Sequence, residues 1–439
     1  MATAYLRLGA QGLAVVILLA GALNVLIDPY RLYRLFEIPG MNELKPRAQQ
    51  RAALTKAFGI AAVQPTNLVL GNSRAEMGFD PSSAHWPNPG PTYNAAIEAS
   101  SLDAALRSLQ DALTVSRVRH VVIGLDFVDF LAPDDAPPPA AAIELQPNAL
   151  HSVPRQLTDL ASTVISIETV WDSALTIAYQ RDPLLARDIT ALGFDPVREG
   201  DARARKIGYY GVFRKRAEVI AKEFSQWPRS VPATSASWRQ LQTILWLCES
   251  RGVQAHLVIY PYHAQFLQQI KVDGRWPLYE QWKRILINVV ERTRERNQNP
   301  TVWDFSGYHR YSTETIPKNE DNQTVMQWYW EAGHFKRELG ERILQRVFGG
   351  GDPDFGVQLT AANIQQHLDA IKAAQFDYEK ANPAELGPVN TYRSPSTIRA
   401  KRINPIKMTS SFSNREKMRR KPLSRRNKRS ISLPRLYIA

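Results

Sequence analysis

A serine that attacks an acyl group needs a base within reach, an acid to hold that base, and donors for the charge that develops on the carbonyl oxygen. Ser73 stands next to last in the stretch NLVLGNSR, in which an apolar run ends abruptly in small polar residues and an arginine. A serine at a strand-to-helix turn projects its hydroxyl clear of the sheet, and its own N–H faces developing negative charge. Taken alone, the position reads first as an ordinary helix cap. Far along the chain, in MQWYWEAGHFKRELGERIL, Glu331 and His334 stand three positions apart at what reads as the mouth of a helix. At that spacing a carboxylate can hold one imidazole nitrogen while the other faces a hydroxyl. His263, in YPYH, is the competing base or a substrate contact, and by itself suits an ordinary loop histidine equally well. Arg74, next to the serine, would suit an anionic substrate group or a solvated helix start.

These residues need elements to bring them together. NLVL reads as a short buried strand, and SLDAALRSLQDALTVS as an amphipathic helix with apolar positions 102, 105, 106, 109 and 113. RHVVIGLDF is a β-branched strand. Strand, helix and strand in that order form the βαβ unit of a parallel sheet. APDDAPPPA breaks the pattern at residues 132–140, and a mostly helical stretch follows to about 235, interrupted at GYYGVF. Alternation then resumes with a helix stopped at Gly252, the strand VQAHLVIYP, a long amphipathic helix, the strand TVWDF and a helix closed by glycines near 350. The predicted fold is α/β, a three-layer sandwich with a mostly parallel sheet of at least four strands and a helical insertion at about 132–235. In such sheets reactive groups collect where strand C-termini meet the following loops, and three strands here end in polar residues: at Ser73, at Asp126 and Asp129, and at His263. Residues 359–380 read as a last helix opened by a Thr360 cap.

The combination resembles the SGNH (GDSL-like) hydrolase superfamily. GNSR is similar to its first block, and EAGH to its Asp-x-x-His block with Glu replacing Asp. YNAAIEASS stands where the second block should be, and VIGLDFVDF where the third should be. The layout is particularly similar to the membrane-anchored envelope branch, which includes relatives of alginate O-acetylation proteins and of the D-alanine-transfer protein of teichoic acids. The likeness covers residues 65–350 in order and spacing. It implies an SGNH/flavodoxin-like fold, with Ser73 as nucleophile, His334 as base and Glu331 as orienting acid. Two blocks depart from the pattern. Ala95 and Ala96 stand where a glycine is usual, though a backbone N–H there, as at Ala95, could still donate to the oxyanion, and Asp126 replaces an asparagine. An ionised carboxylate cannot donate a hydrogen bond, so Asn72 or Asn94 would have to serve. His263 matches a histidine that many envelope relatives carry after this strand.

Length and charge frame the rest. The 439 residues allow a sizeable core, and 44% hydrophobic with 22% charged residues is ordinary globular composition. The formal charge of +13 is local: residues 393–439 hold 15 Lys/Arg and one acid, a net +14, leaving −1 for residues 1–392. That tail is predicted to be a solvated, unfolded extension; its basic run NREKMRRKPLSRRNKRS has no stacking aromatics and no nucleic-acid module, so no specific nucleic acid is expected. Cys248, the one cysteine, sits in an apolar helical run and reads as a core residue. The scattered histidines offer no metal-ligand spacing, and no glycine loop cradles a phosphate, so neither metal nor cofactor is expected.

Leu8 to Ile27 is a 20-residue stretch without a charge, long enough to span a hydrocarbon core. Its apolar run outlasts a signal peptide's, which favours an uncleaved anchor for residues 1–28. Arg31, Arg34, Lys45 and Arg47 on the C-terminal side would, by the positive-inside rule, draw the body into the cytoplasm. The short N-terminus before a large domain, and the envelope resemblance, point instead to a single-pass bacterial inner-membrane protein with an extracytoplasmic or periplasmic body. The predicted organisation is an anchor (1–28), a membrane-proximal segment (29–60), an α/β domain (61–350), a C-terminal helix packed on it (351–392) and the basic tail (393–439). The expected function is a serine esterase or O-acyltransferase acting on envelope polysaccharide or glycoconjugate. Its expected partners are membrane lipid through the anchor, a polysaccharide and an acyl-carrying membrane partner. The alternative is a non-catalytic glycan-binding or assembly protein of the same fold.

Overall fold

The structure, a computed structural model, describes residues 2–87, 89–133, 152–294 and 300–383. The basic tail and most of the proline-rich break lie outside the described residues. The chain opens with α1 (Ala2–Ile27), then a 3-10 turn at Ala48–Arg51 and α2 (Ala52–Val63). The sheet begins with β1 (Asn67–Leu70), α3 (Ser73–Gly78), β2 (Thr92–Asn94), α4 (Leu102–Val115) and β3 (His120–Leu125). The insertion carries α5 (Ser152–Ile165), α6 (Ile167–Tyr179) and α7 (Gly200–Gln226), and α8 (Ala236–Arg251) returns the chain to the sheet. There follow β4 (Gln254–Ile259), α9 (Ala264–Val272), α10 (Trp276–Arg294) and β5 (Thr301–Asp304). The last elements are the hairpin β6 (Tyr329–Glu331) and β7 (His334–Phe335), then α11 (Arg337–Val347), β8 (Val357–Gln358) and α12 (Ile364–Ala381).

The main sheet has the order β2-β1-β3-β4-β5-β8, parallel except for the antiparallel edge strand β8. Its central strands are buried on both faces, as the near-continuous apolar runs demand. The chain steps from β1 outward to β2 and then back across β1 to β3. Because crossovers are right-handed, this reversal puts α3 and α4 on opposite faces. On one face α2, α4, α8 and α10 pack in succession; on the other α3 lies against α11. The result is a mixed α/β fold with three layers. Beside β1, where the winding reverses, open sheets of this kind leave a crevice at the strand C-termini.

Small residues make the close approaches. A Cβ on Gly340 of α11 would lie 1.7 Å from the Gly78 carbonyl oxygen, so these helices touch backbone to backbone. Gly71, at φ +146, turns the chain out of β1, where a Cβ would meet the Tyr260 hydroxyl at 2.6 Å. Gly252, at φ +66, ends α8 as the sequence predicts.

Several local expectations need correction. Glu331 and His334 lie on the β6–β7 hairpin, and the helix begins only at Arg337, because Glu331 and His334 pair across a two-residue turn. The interruption expected at GYYGVF is confined to its first residue, Gly208 (φ 67, ψ 157), where α7 kinks; the residues after it are helical. The last helix begins at Ile364 rather than Thr360: the Asn363 side chain accepts the Thr360 N–H at 2.8 Å and holds a turn before it. β2 and β8 are strands too short for alternation to register.

The N-terminal helix α1 is the one helix among the described residues long and apolar enough to cross a membrane. Most of it is exposed, and its C-terminal end is locked into the body. The Asn24 amide donates to the Val164 carbonyl at 2.9 Å, and Asp28 accepts the N–H groups of Leu32, Tyr33 and Arg34. At the other terminus α12 packs on α10, and His367 meets Asp304 at 2.9 Å. Lys283 completes that buried knot, 2.7 Å from Asp304 and 2.8 Å from Ser306.

Candidate functional site

Asn72 caps α3 by accepting the Arg74 N–H on its side-chain oxygen at 3.1 Å. Ser73 is therefore the first helical residue, with its hydroxyl free to point away from the sheet. The Ser73 hydroxyl lies 2.7 Å from Nε2 of His334, though 261 residues separate them in sequence. On the other side of the imidazole, Nδ1 bonds one carboxylate oxygen of Glu331. The second Glu331 oxygen accepts the Gly333 N–H at 2.8 Å and lies 3.5 Å from Nε of Arg216 on α7.

The tautomer follows from this arrangement. Burial pushes the Glu331 carboxyl up, but His334, Arg216 and the Gly333 N–H outweigh it and hold the pKa down at about 2. An ionised carboxylate only accepts, so Nδ1 of His334 must carry the proton. Nε2 is then bare and accepts from the Ser73 hydroxyl, which is the polarity a general base requires. Ser73 and His334 are partly exposed, so the reacting atoms face solvent.

The hairpin carrying Glu331 and His334 is braced from three sides. Arg74 donates through Nε to the Gly333 carbonyl at 2.8 Å. The backbone N–H of His263 donates to the Ala332 carbonyl at 3.1 Å, and the Tyr329 hydroxyl to the Pro261 carbonyl at 2.8 Å. The braces join the hairpin to the start of α3, just past β1, and to the loop that follows β4, which explains why residues so far apart in the chain converge.

The remaining candidates take positioning rather than substrate-facing places. Arg74 is buried and pairs with Asp126; burial opposes its charge, but that carboxylate raises its pKa further. It joins β1, β3 and the hairpin and does not present a free guanidinium to an anionic substrate. Asp126 accepts from Arg74, from Asn72 at 3.0 Å and from the Tyr262 hydroxyl at 2.5 Å. It is fully buried and anchors the first block to the third. Asn94 faces away from Ser73. Its amide donates to the Ala75 and Phe79 carbonyls at 2.8 and 2.9 Å, so it fastens α3 to β2 rather than serving an oxyanion. The N–H of Ala95 goes to the Val69 carbonyl at 2.9 Å, that of Ala96 to the Asn94 side chain at 3.0 Å, and that of Ile97 to the Gly71 carbonyl at 3.1 Å. The second block thus spends its donors internally. The Ser73 N–H makes no hydrogen bond within the described residues and is the donor nearest the nucleophile.

His263 is neither base nor substrate contact. Its ring is fully buried, Nδ1 accepts the Gln265 N–H at 3.1 Å, and Nε2 donates to the Glu314 carbonyl at 2.8 Å. Burial lowers its pKa to about 4, so it stays neutral as the cap of α9. Asp129, the other acid of the third block, is pushed well up by burial and by Asp126 beside it.

Two positioning residues escaped the sequence reading. Arg216 lies in a charged insertion helix with no motif to single it out. Tyr262 stands next to His263 at the strand end, where an aromatic reads as core. Trp330 packs against Gly200 and under the Lys336 ammonium, which lies 4.2 Å from its ring. Cys248 is buried and its thiol is pushed up by desolvation to about 12, an inert core residue. Among the described residues no cluster of His, Cys, Asp and Glu could hold a metal ion. No protein-family model, no curated protein and no solved structure matches this chain.

Proposed function

We propose that this chain is a membrane-anchored serine esterase or O-acyltransferase of SGNH type, acting on acyl esters of envelope polysaccharide or glycoconjugate. The observation that carries the reading is the relay from Ser73 through His334 to Glu331, with a 2.7 Å hydrogen bond at its reacting end. Ser73 attacks the ester carbonyl while Nε2 of His334 takes its proton. Glu331, ionised and held by Arg216 and the Gly333 N–H, stabilises the imidazolium that forms. The imidazolium then protonates the departing alkoxide, leaving the acyl group on Ser73. Water or a sugar hydroxyl, deprotonated by the same nitrogen, releases it. The Ser73 N–H faces the oxyanion. The engaged donors of the second block and the carboxylate at 126 leave this hole poorer than the superfamily pattern implies. Loss of one such donor costs about 3 kcal/mol of transition-state stabilisation, so turnover should be slow.

That same poverty of donors favours a second reading, a non-catalytic glycan-binding or assembly protein of the envelope. A serine-directed fluorophosphonate probe separates the two. On the enzymatic reading the full chain is labelled at Ser73, and Ser73→Ala and His334→Ala lose the label. Glycan binding without turnover, unaltered in His334→Ala, would decide for the second reading.

A further inference from the structure

Helix α6 is inside out. Its polar residues Thr169, Asp172, Ser173 and Thr176, with Gln180 at its C-cap, are buried along one face. All but Thr169 have partners in the elements that follow α1 or in α1 and α6 themselves. Asp172 accepts from the Tyr30 hydroxyl at 2.5 Å and from Arg47 at 2.7 Å. The Ser173 hydroxyl donates to the side chain of Asn24 at 3.0 Å, and Thr176 to the Asp172 carbonyl at 2.8 Å. Gln180 exchanges two hydrogen bonds with the Leu44 backbone, at 2.9 and 3.0 Å. The opposite face carries Ile167, Trp171, Ala174 and Ala178, spaced by four, three and four, with Ile177 beside them, and all are exposed. Ile167 is 86% exposed and Trp171 65%. A surface helix of a water-soluble body shows the reverse arrangement, because exposed apolar area costs about 25 cal/mol per Å².

This face continues onto the flank of α1. A cleft of about 570 Å³ runs between α1, from Ile17 to Leu26, and Phe36, Val164 and Ile165. Leu35, Phe36 and Ile38 in the segment after α1 are exposed as well. The apolar surface therefore begins on the helix that is long enough to span a membrane and extends onto the body without a polar gap at Ile165. The two acids beside this surface are paired, Glu168 with Arg51 at 2.8 Å and Glu37 with Arg31. An exposed tryptophan at the foot of a membrane helix suits the boundary between headgroups and acyl chains.

We propose that α6 is an interfacial membrane helix. Its Ile167–Trp171–Ala174–Ala178 face, together with Ile165 and Phe36, sinks into the bilayer boundary around α1. The occupant is lipid rather than a protein partner, because the surface is continuous with α1 and the acids at its border, Glu168 and Glu37, are already paired within the chain. The buried polar network then fixes the angle of α1 to the body. The α/β domain does not swing on a tether but rests on the membrane at a set height. This rests on the membrane reading of α1, not on the catalytic reading of Ser73.

The test uses the full chain in phosphatidylcholine vesicles, with an environment-sensitive fluorophore on a single introduced cysteine; the buried Cys248 does not compete. Ile167→Cys and Trp171→Cys report on the stripe, Leu18→Cys on α1, and Arg214→Cys, on α7, on the exposed body. Lipids bearing a spin label near the headgroup end of the acyl chain should quench the labels at 167 and 171, with a blue shift, while iodide in the water quenches only the label at 214. Iodide quenching at 167 and 171 without lipid quenching would overturn the proposal. So would shielding from both quenchers, which would mean that a second copy of the chain covers the stripe. Iodide quenching of the label at 18 would remove the membrane reading of α1 and overturn the proposal with it.

Discussion

At Glu331 one carboxylate serves two purposes: one oxygen fixes the tautomer of His334, and the other is tied to Gly333 and Arg216. Glu331→Gln keeps the shape but can present an amide N–H to Nδ1, inverting the tautomer. Ester turnover is expected to fall by about 10³ to 10⁴, with little change in substrate affinity, as steady-state kinetics would register. Arg216→Ala removes only a support of that carboxylate, and a loss on the order of tenfold in kcat is expected, partly recovered in Arg216→Lys. At Asp126 the superfamily resemblance tempts one to restore the asparagine. The structure argues otherwise, since Asp126 is the buried partner of Arg74. Asp126→Asn should not raise activity; by leaving a buried guanidinium without its counter-charge it should cost about 3 kcal/mol in urea denaturation.

The elements explain why those residues can meet at all. The β6–β7 hairpin carries His334 and Glu331. It is held by the Arg74 side chain after β1 and, after β4, by the His263 N–H and the Pro261 carbonyl that accepts the Tyr329 hydroxyl, so two strand ends determine its position. Beneath it, α3 and α11 touch at Gly78 and Gly340. Gly340→Ala would drive a methyl into the Gly78 carbonyl and push α11 from α3. A destabilisation of about 2–3 kcal/mol is expected, with loss of Ser73 labelling before global unfolding, since the nucleophile and the hairpin stand on these two helices. Labelling that survives up to the unfolding midpoint would show that the helices can separate without disturbing the relay.

On the scale of the whole molecule, three histidines, two buried and His309 half-buried, make the fold sensitive to acid. His256, His263 and His309 each have a pKa lowered to about 4 by burial. In the unfolded chain each takes up a proton below about pH 6.5, whereas the folded protein resists until about 4, so stability falls as pH drops across that window. The expected loss is on the order of 2 kcal/mol per histidine between pH 7 and 5, readable from denaturation midpoints. Glu331 works lower: its pKa is depressed, so its contribution is complete above about pH 4.3 and fades as pH falls towards about 2. His263→Gln, which can keep one of the two ring contacts, should reduce the drop between pH 7 and 5. An unchanged pH profile would remove His263 from the account.

Much of this protein can be read from residue order. The buried runs of β1, β3, β4 and β5 and the amphipathic α4 appear as apolar periodicity, because each side chain's burial follows from its own place in a strand or helix. Ser73, Glu331 and His334 are legible for a similar reason: their types and spacing are local, and a three-residue gap brings two side chains together in a hairpin as readily as in a helix. What local pattern cannot carry is the partner of a polar group. Asn94, Asp126, Arg74 and His263 read as substrate-facing by position in the chain, and only the packing of distant segments turned each of them inward. The same holds for α6, whose composition is unremarkable until the fold decides which of its faces the body covers.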